Sequence, residues 1–259
     1  MNVLQALATM HNNSLYENTY RSVAGGILAN LNEMKDATMY VVANLTASSR
    51  STVLRMIQML GYSSYSEFHS ALKQAINQYH HYNRLFPQNV CYSSESIAAF
   101  ASSRYYQAYE QAKGVITGAK VEKFAKLIHE ADRVSEYLHY SMGSATSLSI
   151  NLAISGKKHD LCMIYADMLK NAEELSEKSL VIGATIEYSE TLNMEPVFKL
   201  AKERGATIIL GNETSKYARY ADHFFMSKEE MAKYGSPVSS VFDQFLICVS
   251  EAYRTKYID

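Results

Sequence analysis

Apolar positions recur with a helical period over the first third of the chain and change period after it. Residues 1–12 are apolar and helix-compatible, and Asn12-Asn13-Ser14 offers a cap for a helix from Leu15 to Leu31 that turns Leu15, Tyr20, Val23, Ile27, Leu28 and Leu31 inward. Gly25-Gly26 lies inside that helix at a cost of roughly 1 kcal/mol per glycine relative to alanine, and reads as a tolerated weak point rather than a close helix crossing. Two short helical runs follow. Met39 to Leu45 has apolar residues at helical spacing, Thr46-Ala47-Ser48 interrupts them with small residues suited to a tight turn, and Val53, Ile57 and Leu60 resume the stripe at i, i+4 and i+7. Ser49 is placed to cap the second run and Gly61 to end it.

The helical pattern continues past Leu72 to Tyr82, and Phe86-Pro87-Gln88-Asn89 then breaks it. This predicts a domain over residues 1–86, a linker over 87–100 and a second domain over 101–259. Ser93 and Ser94, before Glu95, are candidate caps, and Ser96 to Ala131 reads as one or two helices broken near Gly114 or Gly118. Beyond them short apolar runs at Glu136 to Tyr140, Leu161 to Tyr165, Leu180 to Ala184, Thr207 to Leu210 and His223 to Met226 alternate with helical stretches. Those stretches are Thr146 to Ile154, Leu169 to Leu175, Thr191 to Arg204, Lys216 to Tyr220 and Ser240 to Tyr253. Such alternation predicts a parallel sheet covered by helices on both faces. The fold class expected is therefore two domains, an all-α N-terminal one and a three-layer α/β one.

Composition adds little to that picture. The chain has 259 residues, 47% apolar and 20% charged, as a globular protein does. Its net charge of -1 conceals a mild asymmetry, since residues 1–86 hold six Lys/Arg against four Asp/Glu and the remainder nineteen against twenty-two. Cys91, Cys162 and Cys248 lack metal-ligand spacing and are odd in number, so neither a disulfide framework nor a zinc site is expected. His80-His81 is no metal pair either, because adjacent residues do not share a helix face. The absence of a signal-like or membrane-spanning run makes the cytoplasm the expected compartment.

Two places carry candidate chemistry. The face of the second short helix opposite its apolar stripe holds Arg50, Ser51, Thr52 and Arg55, the short hydroxyls and forked cations that reach phosphates and base edges from a major groove. The same periodicity also fits a capped helix pair inside an all-α core. In a parallel sheet, ligands bind beyond the carboxyl ends of the strands, where helix N-termini favour anions. Ser141 to Ser147 follows the first strand and Tyr188-Ser189-Glu190-Thr191 the third, although small residues there also simply permit tight turns.

The run Ser49, Thr52, Val53, Arg55, Leu60, Gly61, Tyr62, Tyr65, Ser66, Glu67 and Phe68 resembles the helix-turn-helix of the RpiR family of bacterial transcriptional regulators, with Ser48 and Met56 departing from its usual aliphatic and aromatic residues. Leu180 to Thr191, Leu200 to Ala206 and Ala221-Asp222 are similar to the sugar isomerase (SIS) domain that forms the second half of those regulators. This resemblance implies a regulator binding double-stranded operator DNA as a homodimer or dimer of dimers, with no cofactor, no metal, no membrane and no catalytic residue. DNA contact would fall to Ser49, Arg50, Ser51, Thr52 and Arg55, with Tyr62 and Tyr65 positioning the backbone. A sugar-phosphate or amino-sugar effector would meet Ser141, Gly143, Ser144, Thr146, Ser147, Tyr188, Ser189, Glu190 and Thr191. Ile186 and Tyr188 stand where the family has phosphate-binding serines, Ser189 where it has a glycine, and Glu187 and Glu190 would repel a dianion. A SIS-like dimerisation scaffold without ligand is the alternative, and a sugar-phosphate isomerase using His139 or Glu187 as base a more distant one.

Overall fold

A computed structural model describes residues 3–12, 19–77, 93–138, 143–184, 192–234 and 239–259 of the chain. It divides into two compact units, the first carried by residues 1–91 and the second by most of the remaining chain.

The first unit is helical among its described residues: α1 (Val3–Asn12), α2 (Thr19–Ala29), α3 (Leu31–Met34), α4 (Met39–Leu45), α5 (Arg50–Met59) and α6 (Tyr65–Asn77). Its core is built from Val3, Leu7, Val23, Ile27, Met34, Val53, Met56, Ile57, Phe68 and Leu72, all essentially without exposure. The single helix expected to reach Leu31 instead stops at Ala29, where Asn30 Nδ2 donates to the Gly26 carbonyl at 2.7 Å. The paired glycines inside α2 are not a weak point. A Cβ on Gly25 would stand 2.8 Å from the His11 ring of α1, and one on Gly26 would stand 2.8 Å from Cγ2 of Thr46, so the glycines let α2 cross both neighbours closely. The helix expected to run on to Tyr82 is described as far as Asn77, and the expected linker lies partly outside the described residues.

The second unit opens with α7 (Ser94–Val115), capped by Ser93, and α8 (Gly118–Glu130), capped by Thr117. The break falls at Ile116-Thr117, between the two glycines expected to mark it. Then come β1 (Arg133–Tyr137), α9 (Gly143–Ile154), β2 (Lys158–Cys162), α10 (Tyr165–Glu173), β3 (Ser179–Gly183), α11 (Glu195–Glu203), β4 (Thr207–Asn212), β5 (His223–Met226), α12 (Lys228–Tyr234) and α13 (Ser239–Tyr257). The strands form one all-parallel sheet in the order β2-β1-β3-β4-β5, which reverses direction between β1 and β3. Tyr137 stands in register with Cys162 on one side and Gly183 on the other. One face is covered through Phe124, Ile128, Leu148, Leu152, Phe242 and Phe245 of α8, α9 and α13.

Strands β4 and β5 begin where the apolar runs predict, and β3 one residue earlier, at Ser179. The first two strands begin earlier than expected, at Arg133 and Lys158 rather than Glu136 and Leu161, because they open on polar residues of which Arg133, Ser135, His159 and Asp160 are still buried or half-buried. The stretch Lys216 to Tyr220 is a 3-10 turn over Ala218–Tyr220 rather than a helix. Helix α12 was not anticipated.

Candidate functional site

The turn between α4 and α5 is closed by backbone bonds of both its ends. Ala47 takes a left-handed φ of 47°, and the N–H groups of Ala47 and Ser48 donate to Asn44 and Ala43 carbonyls at 3.1 and 2.8 Å. Thr46 donates its hydroxyl to the Val42 carbonyl and accepts from Ser48, both at 2.8 Å. This gives Ser48 a partner where the RpiR pattern has an aliphatic residue. Helix α5 starts as expected, with the Ser49 hydroxyl accepting from the Thr52 N–H at 3.1 Å. It ends in a Schellman motif at Gly61, whose φ is 93°, with Tyr62 N–H donating to Ile57 O and Gly61 N–H to Gln58 O.

Between those caps α5 turns Val53, Met56 and Ile57 into the core and leaves Arg50, Ser51 and Arg55 exposed, with Thr52 half-buried. Among the described residues neither guanidinium has a hydrogen-bond or ion-pair partner. The hydroxyls of Ser51 and Thr52 lie 2.8 and 2.9 Å from that of Ser49, so Ser49 is tied up as the cap while the arginines stay free. Guanidinium groups left exposed in this way have the forked donors that suit carboxylate and phosphate oxygens.

The tyrosines that the sequence assigned to backbone contact sit elsewhere. Tyr62 is buried, edge-on to Phe68 with ring centroids 5.5 Å apart, and belongs to the core. Tyr65 is half-buried, its hydroxyl donates to the Ala37 carbonyl, and burial pushes its pKa up to about 12. It thereby fastens α6 to the loop that enters α4. Lys73 fastens the same loop through Asp36 at 2.6 Å, and holds the Asp36 carboxyl below its ordinary range.

Of the expected effector residues, Ser141, Tyr188, Ser189, Glu190 and Thr191 lie outside the described residues, as do His139 and Glu187. Gly143, Ser144 and Thr146 stand in the first turn of α9. The remaining candidate, Ser147, is exposed and its hydroxyl lies 3.4 Å from that of Ser250 on α13. Below it on α9, Asn151 donates to the same Ser250 hydroxyl at 2.9 Å, and Ser155 meets Tyr253 at 2.9 Å, forming a polar seam between two helices.

A second polar group was missed by the sequence reading. Glu136 of β1 is fully buried, with Oε1 2.9 Å from His159 Nε2 on β2 and, among the described residues, no partner for Oε2. Burial raises its pKa, and the histidine only partly opposes that. Ser149 of α9 lies 3.4 Å from the same imidazole nitrogen. On the opposite face of the sheet, Arg133 is held by Asp160 at 2.5 Å and Glu174 at 3.1 Å, while Tyr137 donates to Asn171 at 2.8 Å. Burial works against the Asp160 carboxylate, but the guanidinium beside it keeps its pKa below the ordinary value. Ionisable residues inside the strand-length segments RVSEY and KHDLC were the available signal.

Residues 1–79 match the model of the helix-turn-helix domain of the rpiR family. No curated protein matches the sequence. Among solved structures, the chain is similar to the Vibrio vulnificus NanR protein complexed with ManNAc-6P, at 17% identity over 97% of this chain and 92% of that one, with a TM-score of 0.49. It is also similar to the sugar isomerase domain of the RpiR transcription factor from Sphaerobacter thermophilus, at 17% identity over 62% of this chain and 90% of that one, with a TM-score of 0.48.

Proposed function

From an N-terminal domain of the rpiR helix-turn-helix family, we infer that this chain is a DNA-binding transcriptional regulator that reads an operator with α5. The observation that carries this reading is that Arg50 and Arg55 of α5 are exposed and, among the described residues, unpaired, while Val53, Met56 and Ile57 of the same helix are buried. A recognition helix in a major groove meets base edges through such side chains, and its caps leave them free to do so. Ser51 and Thr52 lie beside them, whereas Ser49 holds the helix start and Tyr62 the core. Two such helices reach two half-sites when the protein is a homodimer.

The test is binding of the full chain to duplex DNA from upstream of its own gene, followed by fluorescence anisotropy across a salt series. Arg50→Ala or Arg55→Ala costs about 1 to 3 kcal/mol where the side chain reads a base, and flattens the salt slope by about one unit where it meets only a phosphate. If neither substitution weakens binding to a site that the parent recognises, α5 is not the reading helix.

The sheet domain is the effector and dimerisation part of this reading. An effector that prefers one dimer arrangement would change half-site spacing, and with it DNA affinity. Ile186 and Tyr188 remove converging hydroxyls, and Glu187 and Glu190 add negative charge, so an uncharged or amino-bearing ligand fits better than an ordinary hexose phosphate. The Ser147 hydroxyl, turned to Ser250 in the seam with α13, favours a second reading in which this domain is a scaffold without ligand. Calorimetry with a hexose 6-phosphate tests both at once: tight binding that is lost in Thr191→Val refutes each of them. A regulator, rather than an isomerase, is the function proposed.

A further inference from the structure

We propose that the segment from Lys35 to Tyr40 is a second phosphate-contacting site of the DNA-binding domain, the part before α4 being held in position by Tyr65 and Lys73 of α6. This deepens the reading of the chain as a DNA-binding regulator and rests on it.

In a helix-turn-helix the second helix enters the groove while the first crosses the phosphate backbone, so the segment entering α4 approaches the sugar-phosphate chain. Two of its side chains suit that position. Tyr40 is 63% exposed at the first turn of α4, and among the described residues its ring and hydroxyl have no partner. Lys35 is exposed and, among the described residues, in no ion pair. Its neighbour Asp36 would ordinarily cancel its charge and repel a phosphate. The Asp36 carboxylate, however, pairs with Lys73 of α6 at 2.6 Å, so Lys35, Asp36 and Lys73 together keep a net positive charge. Lysine ammonium and tyrosine hydroxyl groups are among the donors that fix a protein's register on a duplex.

The segment is also built to hold still. Tyr65 donates its hydroxyl to the Ala37 carbonyl, and Lys73 clamps Asp36, so two side chains from α6 pin two consecutive residues of the loop. Thr38 then caps α4, accepting from the Val41 N–H at 3.4 Å. Ordering these residues before binding removes an entropic cost that a free loop would pay on meeting DNA. Tyr65, assigned to DNA contact from sequence, is on this account a positioning residue that acts through Ala37.

The test uses the full chain and a duplex that the parent binds. Lys35→Met is expected to weaken binding about fivefold at moderate salt and to lower the salt slope by about one unit. Tyr40→Phe, which removes only the hydroxyl, is expected to weaken binding about threefold. Tyr65→Phe removes the tie to Ala37. It should weaken binding by a similar factor with the thermal midpoint of the chain followed alongside, and Lys35→Met should then cost less on that background than on the parent, because an unpinned Lys35 contributes less. A merely structural role for Tyr65 predicts instead that the two effects multiply, which would overturn the positioning part. Parental affinity and slope in both Lys35→Met and Tyr40→Phe would overturn the site, while Arg55→Ala still losing affinity would leave the regulator reading intact. A parent chain that binds no duplex at all would remove both.

Discussion

Gly26→Ala is the most direct probe of how the recognition helix is held. Placed in the interior of an exposed helix, the change would stabilise the chain by about 1 kcal/mol through helix propensity alone. Here the added methyl would lie 2.8 Å from Cγ2, 3.3 Å from Cβ and 3.4 Å from Cα of Thr46. Thr46 has little room to yield, because it is buried, ends α4, and is bonded through its hydroxyl to Val42 and Ser48. Overpacking of this kind costs about 1 to 3 kcal/mol, so the net loss is about 1 kcal/mol in urea unfolding followed by circular dichroism. Thr46→Ser removes the opposing methyl while keeping the hydroxyl. In the double variant the two changes are therefore expected to couple favourably by about 1 kcal/mol in a double-mutant cycle. DNA affinity should follow the same pattern, falling in Gly26→Ala and recovering in the pair, since the strained turn is the one that aims α5. A Gly26→Ala chain more stable than its parent would refute the reasoning and restore the reading of the glycine as a weak point.

Glu136→Gln tests the buried pair. The folded-state pKa of Glu136 lies above its ordinary 4.5, so its contribution to stability is complete below about pH 4.5 and is lost as pH rises through the folded value. The glutamine variant should therefore match the parent at pH 4 and surpass it in urea midpoint at neutral pH, and identical pH profiles would refute this. Lys157→Met removes the ammonium that donates to the His129 and Ala131 carbonyls at the end of α8, and should cost about 1 kcal/mol in thermal unfolding, at the low end because water reaches the site. Sedimentation of the full chain at micromolar concentration should find a dimer, and a monomer would contradict the two-half-site reading.

The parts of this molecule that were legible from sequence are those where local chemistry decides the geometry. Ser49 and Gly61 bound α5 because a hydroxyl cap and a left-handed residue each solve the problem of unpaired helix-end groups within a few residues of themselves. Strands β3, β4 and β5 were placed by apolar runs such as Leu180 to Ile182, whose burial in a parallel sheet follows from their composition. The failures share a different cause. Tyr62 and Tyr65 carry hydroxyls that in a linear reading suit DNA, but one ring is packed on Phe68 and the other hydroxyl reaches Ala37, a partner distant in sequence. Gly25 and Gly26 look like weak points until His11 and Thr46 are seen against them. Strands β1 and β2 were displaced because Arg133, Glu136, His159 and Asp160 interrupt their apolar pattern, and each tolerates burial only by a partner on another element. That same dependence makes β1 unusual for a central strand. Its two faces each carry an ionisable side chain, one paired through Asp160 and Glu174, the other through His159 with a carboxylate oxygen left over. Apolar residues of similar volume would fill both places at less cost. The polar strand is therefore a place where this sheet departs from what stability alone would select.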